Sequence, residues 1–219
     1  MLDLLDEQRR RGRPLVGVRR RFARGEVVFH EGDPGDSLHV VTQGAFIARS
    51  SSTMGEVIAV NVFGVGDVFG EMVLLTPGGR RSATVISHGR GATVMITRSD
   101  FEALRAEDAD VDRRLLSLLA ERNRRLTAQL VELLFVPVER RVFRRLLAFA
   151  QVVGTSGEDG WVTLSQADLG ILAGTTRSTV NRVLRRAEER GVVELGRGRI
   201  RLVDEPALRR RADGATHPR

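Results

Sequence analysis

The most regular hydrophobic pattern of the chain lies between residues 110 and 136. Positions spaced three or four residues apart form one row, namely Leu115, Leu119, Arg122, Leu126, Leu130 and Leu133. This spacing is the period of an α-helix, the stretch contains no glycine, and Pro137 follows it. At ~1.5 Å per residue the predicted helix is roughly 40 Å long, which is more than a small domain needs.

A second apolar row, formed by Leu116, Leu118 and Leu134, lies beside the first. A helix with two apolar faces needs two partners, and we expect these to be its own domain and a second copy of the same helix. The alternative is a long helix buried within one domain. Arg122 and Thr127 favour the dimer, because both side chains are unusual in a dry core.

From residue 22 to residue 97, short runs rich in Val, Ile and Phe alternate with glycine-containing turns. The predicted strands are EVVFH, SLHVVTQ, AFIARS, EVIAVNVF, SATVIS and ATVMIT. Short strands at even spacing are typical of an antiparallel barrel or jelly roll. A helix over Ser99–Arg105 leads from this sheet structure into the long helix.

We expect an amphipathic helix and the basic run Arg9, Arg10, Arg11 and Arg13 before the sheet. A second basic cluster, Arg19–Arg21, is expected just ahead of its first strand.

The last third of the chain has a different pattern. Its apolar positions predict a helix over Glu139–Val153, then a short helix from the N-cap Ser165 to Gly174, and another from Thr176 to Gly191. Two helices joined by a tight glycine-containing turn are a helix-turn-helix candidate. Residues 192–202 read as a β-hairpin, or wing, with arginines at its tip. The polar tail from Asp204 is expected to fray.

Composition narrows the class of protein. The 219 residues are 42% hydrophobic and 29% charged, as in a soluble globular protein of about two domains. No window reaches the ~18 apolar residues of a membrane-spanning helix, and the acidic start is unlike a secretory signal, so we expect a cytoplasmic protein without a membrane partner. The absence of cysteine excludes disulfides, thiolate zinc sites and cysteine-held iron–sulfur clusters.

The net charge of +7 is concentrated in the last third of the chain. Residues 1–108 contain equal numbers of basic and acidic residues, whereas residues 137–219 contain 16 arginines and 10 acidic residues. This asymmetry indicates a nucleic-acid-binding domain attached to a neutral domain. An enzyme is not expected, because His30, His39, His88 and His217 have no metal-ligand spacing and no nucleophile elbow or Walker loop is present.

The second helix of the predicted pair carries the candidate DNA-binding residues. Val180, Leu184 and Ala187 face the core, and the opposite face carries Arg177, Ser178, Asn181, Arg182 and Arg185. Arg pairs bidentately with guanine and Asn with adenine, so this helix can read a major groove. Thr176, Ser178, Arg197 and Arg199 suit phosphate contacts. Gln166, at the start of the preceding helix, is a further DNA-binding candidate. The alternative is an ordinary solvated helix face.

A second candidate site lies in residues 68–84, VFGEMVLLTPGGRRSAT. Gly70 and Glu71 open a short helical turn, and Arg81 and Ser82 begin the next strand. Backbone N–H groups, a guanidinium and a hydroxyl form an anion site, and a carboxylate accepts bonds from sugar hydroxyls, so together they suit a nucleotide. A Glu71–Arg81 ion pair that only stabilises the sheet is an equally good interpretation of these residues alone.

With these motifs in this order, the chain resembles the family of the cyclic-AMP receptor protein and the fumarate–nitrate reductase regulator (CRP/FNR). FGEM and RRSATV resemble its phosphate-binding cassette, TTRSTVNRVL its recognition helix, and residues 110–136 its dimerisation helix. The resemblance implies that Glu71 holds the ribose 2′-hydroxyl, and that Arg81, Ser82 and the Gly70–Met72 backbone hold the cyclic phosphate. It also implies Leu126 and Thr127 at the adenine and Arg122 near Glu71.

The sequence departs from the family pattern at two of these positions. The cyclic-AMP receptor protein has two consecutive hydroxyl residues at the base, whereas this chain has Leu126 and Thr127. The recognition helix of the family usually has Glu after its first Arg, and this chain has Ser178, so its operator need not be the usual one. The absence of cysteine excludes the oxygen sensors of the family.

We therefore predict an α+β protein with three segments. Residues 1–109 form a β-jelly-roll sensor for a cyclic nucleotide, which we expect to be cyclic AMP. Residues 110–136 form a dimerisation helix, and residues 137–219 form a winged helix-turn-helix. Val136, Pro137 and Val138 are the expected hinge. The homodimer would bind a pseudo-palindromic DNA site and, by family position, RNA polymerase.

Two alternatives remain open. The DNA function could be constitutive or respond to another effector, or the basic domain could bind a protein partner.

Overall fold

The computed structural model describes residues 16–76, 78–108, 110–154 and 160–214. The helix and basic run predicted before residue 16 lie outside these ranges. The described chain forms two compact units. The first contains the described residues up to Glu56 together with Val60–Arg125, and the second contains Val57–Ala59 together with the described residues from Leu126 onward.

The first unit contains two four-stranded antiparallel sheets, except that one strand begins with Val57–Ala59 of the second unit. Their strands are β1 (Val18–Phe22), β2 (Val27–Phe29), β3 (Ser37–Gln43), β4 (Phe46–Ser51), β5 (Val57–Phe63), β6 (Val68–Phe69), β7 (Thr84–Ser87) and β8 (Gly91–Thr97). One sheet has the order β1-β8-β3-β6 and the other β2-β7-β4-β5. Consecutive strands thus lie in different sheets, except for β4 and β5, as in a jelly roll. All of the strands predicted from the sequence are present.

Arg19–Arg21 were wrongly expected ahead of the first strand, since they lie within β1. Val18 pairs with Met95 and Phe22 with Gly91, so β1 is an edge strand of its sheet. Only Phe22 of its five residues is buried. A strand formed by edge pairing with four exposed side chains lacks the alternation of apolar and polar residues that sequence analysis relies on.

Two groups of buried side chains fill the first unit. One is rich in phenylalanine and includes Phe22, Phe46, Phe63 and Phe69. The other joins the sheet to the helices and includes Leu38, Ile96, Phe101, Leu104, Val111 and Leu115. These helices are α1 (Met72–Leu75), α2 (Arg98–Glu107) and α3 (Asp110–Phe135), and α3 is the long helix predicted from the sequence.

The second unit contains the predicted helix-turn-helix and wing. Its helices are α4 (Val138–Val153), α5 (Gln166–Ala173), α6 (Arg177–Glu189) and α7 (Glu205–Asp213). Its strands β9 (Trp161–Val162), β10 (Val193–Gly196) and β11 (Arg199–Leu202) form an antiparallel sheet of order β10-β11-β9. The predicted hairpin is β10–β11, and β9 extends it.

The expectation that the tail frays from Asp204 was wrong for residues 204–214, while residues 215–219 lie outside the described ranges. The Asp204 side chain accepts a hydrogen bond from the Ala207 N–H at 2.8 Å and caps α7. Leu208 and Ala212, one turn apart, are buried. Two apolar residues among arginines are a weak helical pattern, so this helix depends on packing in the folded chain as well as on its Asp204 cap.

No helix in the described ranges is both long enough and apolar enough to cross a membrane.

His39 lies buried in the sheet and provides a pH-dependent test of the fold. Its Nδ1 atom is 3.0 Å from Thr93 Oγ1, and its ring stacks on Phe69. Burial, together with the charges of Arg81 and Arg20, lowers the pKa of His39 to about 3. In the folded state the His39 imidazole therefore stays neutral over the pH range in which the unfolded chain takes up a proton on it.

We expect stability to fall as the pH decreases from ~6.5 toward ~3, because only the unfolded state gains the proton on His39. At about pH 4.5 the loss from this group is about 3 kcal/mol. Urea unfolding of wild type and His39→Gln at about pH 6.5 and about pH 4.5 isolates the contribution of His39. The difference in stability between the two proteins should shrink on acidification. An unchanged difference would contradict the assignment.

Candidate effector site and nucleic-acid interface

The segment from β6 to β7 places Glu71 and Arg81 side by side in the first unit. Gly70 follows β6 with a φ of +79°, and a Cβ there would lie 2.5 Å from Arg81 Nη1. The backbone conformation favours glycine, and the Arg81 guanidinium occupies the space beside it. Glu71 comes next at the N-terminus of α1, and its side chain is only 1% exposed.

The Arg81 guanidinium is buried against the backbone of the sheet. Nη1 donates to the carbonyls of Ser37 and Gly70 at 2.7 and 2.9 Å, and Nη2 donates to Ser37 Oγ at 3.2 Å. The guanidinium also lies 4.1 Å from the centre of the Phe29 ring. Burial lowers the pKa of Arg81, and the nearby carboxylates of Asp36, Asp33 and Glu71 oppose that shift.

Glu71 forms its ion pair with Arg122 of α3. Arg122 also donates from Nη2 to the Val68 carbonyl at 2.6 Å and lies over the Phe63 ring. The Glu71–Arg81 ion pair considered from the sequence was therefore wrong, since Arg122 is the partner of Glu71. The long helix is thus bonded directly to the carboxylate of the candidate site.

Among the described residues, Glu71 Oε2 and Arg81 Nε are buried polar atoms without a hydrogen-bond partner. Such atoms are costly unless something pairs with them. Ser82 and Met72 beside them are exposed. A spare carboxylate acceptor, a spare guanidinium donor and an exposed hydroxyl fit a ligand that carries both hydroxyls and an anion.

Leu126 and Thr127 lie on α3 about one turn beyond Arg122, and both are exposed. The sequence analysis placed both residues on this long helix, as the structure does.

Arg98 is a residue of this region that the sequence analysis missed. From the first position of α2 it donates to the carbonyls of Val73 and Leu74 at 2.6 and 3.0 Å. These are end carbonyls of α1, which have no partner within a helix of four residues. Arg98 therefore holds the short helix α1, whose N-cap is Glu71. No local pattern links it to residues 24 and 25 positions earlier.

The two short helices of the second unit form as predicted. Ser165 and Thr176 cap α5 and α6, accepting from the Asp168 and Thr179 N–H groups at 3.1 and 3.2 Å. Gly174 ends α5 in the left-handed conformation. Val180, Val183, Leu184 and Ala187 form the buried face of α6.

The predicted DNA-binding residues of α6 lie on its opposite face. Exposed members of this set are Thr176, Arg177, Ser178, Arg182 and Arg185. Asn181 is half-buried and donates from Nδ2 to Gln166 Oε1 at 2.9 Å, which brings two predicted residues of α5 and α6 together. Arg185 is held by Glu188 at 2.8 Å.

Of the two predicted wing arginines, Arg199 lies next to the only tryptophan of the chain. The Arg199 guanidinium is 4.2 Å from the centre of the Trp161 ring, while Arg197 is exposed at the hairpin tip. A Cβ on Gly196 would lie within 3.0 Å of both Arg199 and Trp161. Trp161 was not among the predicted site residues, because β9 joins the wing only in the folded sheet.

The predicted hinge residues lie between α3 and α4. Val136 follows α3, Pro137 is the N-cap of α4, and Val138 is its first residue. The Val136 carbonyl accepts a hydrogen bond from Arg141 Nη1 at 2.9 Å.

No cluster of three or more potential metal-binding His, Asp or Glu side chains occurs in the described part of the chain.

The two units together define a class of protein: a DNA-binding regulator that joins a cyclic-nucleotide-binding fold to a winged helix-turn-helix. Comparison with protein families supports both parts. The profile of the cyclic nucleotide-binding domain matches residues 19–108, and that of the Crp-like helix-turn-helix domain matches residues 140–211.

Similar proteins cover nearly the whole chain. A "CRP-like cAMP-activated global transcriptional regulator" of Mycobacterium tuberculosis is 35% identical over 87% of this chain and 86% of its own length. The "Cyclic AMP receptor protein" of Thermus thermophilus is 32% identical, with coverages of 90% and 88%. A solved CRP-family regulator of Thermus thermophilus has a TM-score of 0.78 at 24% identity, covering 89% of this chain and 96% of that one. The chain belongs to the CRP/FNR family of transcription regulators.

The buried Glu71–Arg122 pair can be tested by stability. Arg122→Met should destabilise the protein by about 3 kcal/mol, because it leaves a buried carboxylate without its cation. Adding Glu71→Leu should recover much of that loss. Urea unfolding measures both, and Arg124→Met, an exposed arginine two positions along the same helix, is the control that should change little. Equal losses in Arg122→Met and the double variant would show that the pair is not what stabilises this region.

Proposed function

We propose that the chain is a homodimeric, non-enzymatic transcription regulator whose effector is cyclic AMP. The observation that carries the proposal is that two buried side chains, Glu71 and Arg81, each have an atom without a hydrogen-bond partner among the described residues. A carboxylate that accepts hydroxyl groups next to a guanidinium that attracts an anion is the chemistry of ribose joined to phosphate.

Each residue of the site has a separate role in this proposal. Glu71 accepts from the ribose 2′-hydroxyl through Oε2, while Arg122 keeps its other oxygen fixed. Arg81, Ser82 and the Gly70–Met72 backbone donate to the cyclic phosphate. Arg81 would exchange bonds to the β3 backbone and Ser37 hydroxyl for bonds to the anion, and this exchange couples ligand binding to the sheet.

Cyclic AMP is favoured by the relatives named above, two of which carry cyclic AMP in their descriptions. Thr127 supplies a hydroxyl that can meet the adenine, and Leu126 supplies apolar contact to it. A base that meets one hydroxyl is bound less selectively than a base that meets two, so we expect weaker discrimination between cyclic nucleotides.

The dimer is supported by the apolar surface of α3. Leu116, Leu130, Leu134 and Phe135 are between 58% and 77% exposed in the single chain. Apolar side chains repeated along one long helix are typical of a helix that packs on a second copy. Two copies would present two α6 helices to half-sites about one DNA turn apart, ~34 Å.

A second candidate keeps the DNA function without a cyclic nucleotide. It is favoured by the bonds that already hold the Arg81 guanidinium on Ser37 and Gly70, and by Leu126 in place of a hydroxyl residue. In that case the first unit would respond to another effector or to none.

Isothermal titration calorimetry with cyclic AMP and cyclic GMP distinguishes the two candidates. We expect wild type to bind cyclic AMP and Arg81→Ala to lose binding at least ~100-fold, since a buried charge-assisted contact is worth several kcal/mol. Arg80→Ala removes the neighbouring exposed arginine and should bind like wild type. Circular dichroism checks that Arg81→Ala remains folded. Absence of heat with either nucleotide on wild type would reject the effector.

DNA recognition divides into base reading and phosphate contact. Arg182→Ala should lose discrimination at one guanine, worth about 1–3 kcal/mol, because Arg pairs bidentately with that base. Arg199→Ala should weaken binding to all sequences alike and reduce the dependence of affinity on salt, as removal of a phosphate contact does.

Fluorescence anisotropy with selected and scrambled DNA, repeated over a salt series, tests both roles. Arg24→Ala removes one exposed charge from the first unit and controls for net charge. The assignment would be wrong if Arg182→Ala and Arg199→Ala weakened specific and scrambled DNA by the same factor.

A further inference from the structure

Arg141, the fourth residue of α4, bonds to backbone carbonyls from two separate parts of the chain. Its Nη1 donates to Val136 and Leu133 at 2.9 and 3.4 Å, and its Nε and Nη2 donate to Ala173 and Gly174 at 3.2 and 3.4 Å. The first two carbonyls lie at the end of α3, and the last two lie at the turn of the helix-turn-helix. One planar guanidinium therefore joins both places.

The chemistry of helix ends explains why an arginine is suited to this position. The last carbonyls of a helix have no partner within it, and they carry the negative end of the helix dipole. Neither α3 nor α5 has a basic residue in its own last turn. Arg141 supplies donors and positive charge to both ends from a third helix.

Packing reinforces the same connection. A Cβ on Gly174 would lie 2.5 Å from Leu133 Cδ2, so the leucine at the end of α3 occupies the space that the turn glycine leaves. Gly174 also has a φ of +59°, which favours glycine independently. Leu133 thus contacts the turn that precedes the recognition helix directly.

Glu132 fixes the end of α3 to α4 from a second direction. Its two oxygens accept from Arg144 Nη1 at 3.0 Å and from Arg145 Nη2 at 2.6 Å. Arg144 Nε also donates to the Ala212 carbonyl of α7 at 3.0 Å. Burial lowers the pKa of Arg145, and the Glu132 carboxylate opposes that shift.

We propose that Arg141 is a positioning residue for DNA recognition, which makes the last turn of α3 and the helix-turn-helix turn one rigid body. The α6 helix then follows any rotation of the end of α3. In this proposal the Val136–Val138 segment, which the sequence suggested as the hinge, is held by the Arg141 bond to the Val136 carbonyl, and the pivot lies on the N-terminal side of Glu132. This inference rests on the proposed dimer, in which α3 sets the separation of the two α6 helices.

The test compares half-site affinity with spacing selectivity. Wild type is first used to select a palindrome from random DNA. Anisotropy then measures binding to that palindrome, to versions with one or two base pairs inserted at its centre, and to a single half-site, each under the same effector condition. We expect wild type to lose ~10-fold or more on the altered spacings, within the usual range of coupling between sites.

In Arg141→Ala the half-site affinity should stay within about twofold of wild type, because α6 itself is unchanged, while the penalty for wrong spacing should fall below about threefold. Arg140→Ala removes the adjacent arginine, which lies against Gly214, and should keep the wild-type penalty. If Arg141→Ala no longer binds the half-site, Arg141→Lys takes its place, since lysine keeps the charge and loses the planar fork.

Each outcome is decisive. An unchanged spacing penalty with unchanged half-site affinity overturns the role of Arg141 and leaves the dimer in place. A wild type that shows no spacing preference, and that light scattering finds to be a monomer, overturns the dimer and this inference with it. Loss of the penalty in Arg140→Ala as well would show that α4 as a whole, and not the Arg141 bonds, sets the spacing.

Discussion

The structure depends on a buried carboxylate that needs a cation. Glu71 is almost fully buried, and its cation is Arg122 of the long helix α3. An ionised carboxylate in this position would be strongly unfavourable alone, so α3 has to lie where its guanidinium reaches Glu71 and the Val68 carbonyl. The same carboxylate has a second oxygen to offer a ligand. In the proposed function, a ligand bonded to that oxygen would act on α3 through the same carboxylate.

Arginines repeat this principle elsewhere, since each holds carbonyls that a helix or loop leaves unpaired. Arg98 bonds to the end of α1, Arg81 to Ser37 and Gly70, and Arg141 to the ends of α3 and α5. A guanidinium has five donors in a fixed plane, so one side chain can connect elements that share few apolar contacts. Such connections are directional.

Much of the fold could be predicted from the sequence, because local chemistry decides it. The 3.6-residue period predicted the bounds of α3 to within one residue. Ser165 and Gly174 predicted the start and end of α5, and Thr176 predicted the start of α6. The glycine and acid at positions 70 and 71 pointed to the site region. In contrast, β1 and α7 were missed, because edge pairing with β8 stabilises one and the burial of Leu208 and Ala212 stabilises the other.

The sequence by itself determined most of the elements, their order, the family resemblance and the residue types available for nucleotide and DNA binding. Those properties depend on neighbours within a few positions. Only the tertiary structure decided that Glu71 pairs with Arg122 and not with Arg81, that Trp161 supports Arg199, and that Arg141 joins two helix ends. Arginine is common in this chain and each has several possible acceptors, so which carbonyl or carboxylate it meets depends on the packing of distant segments.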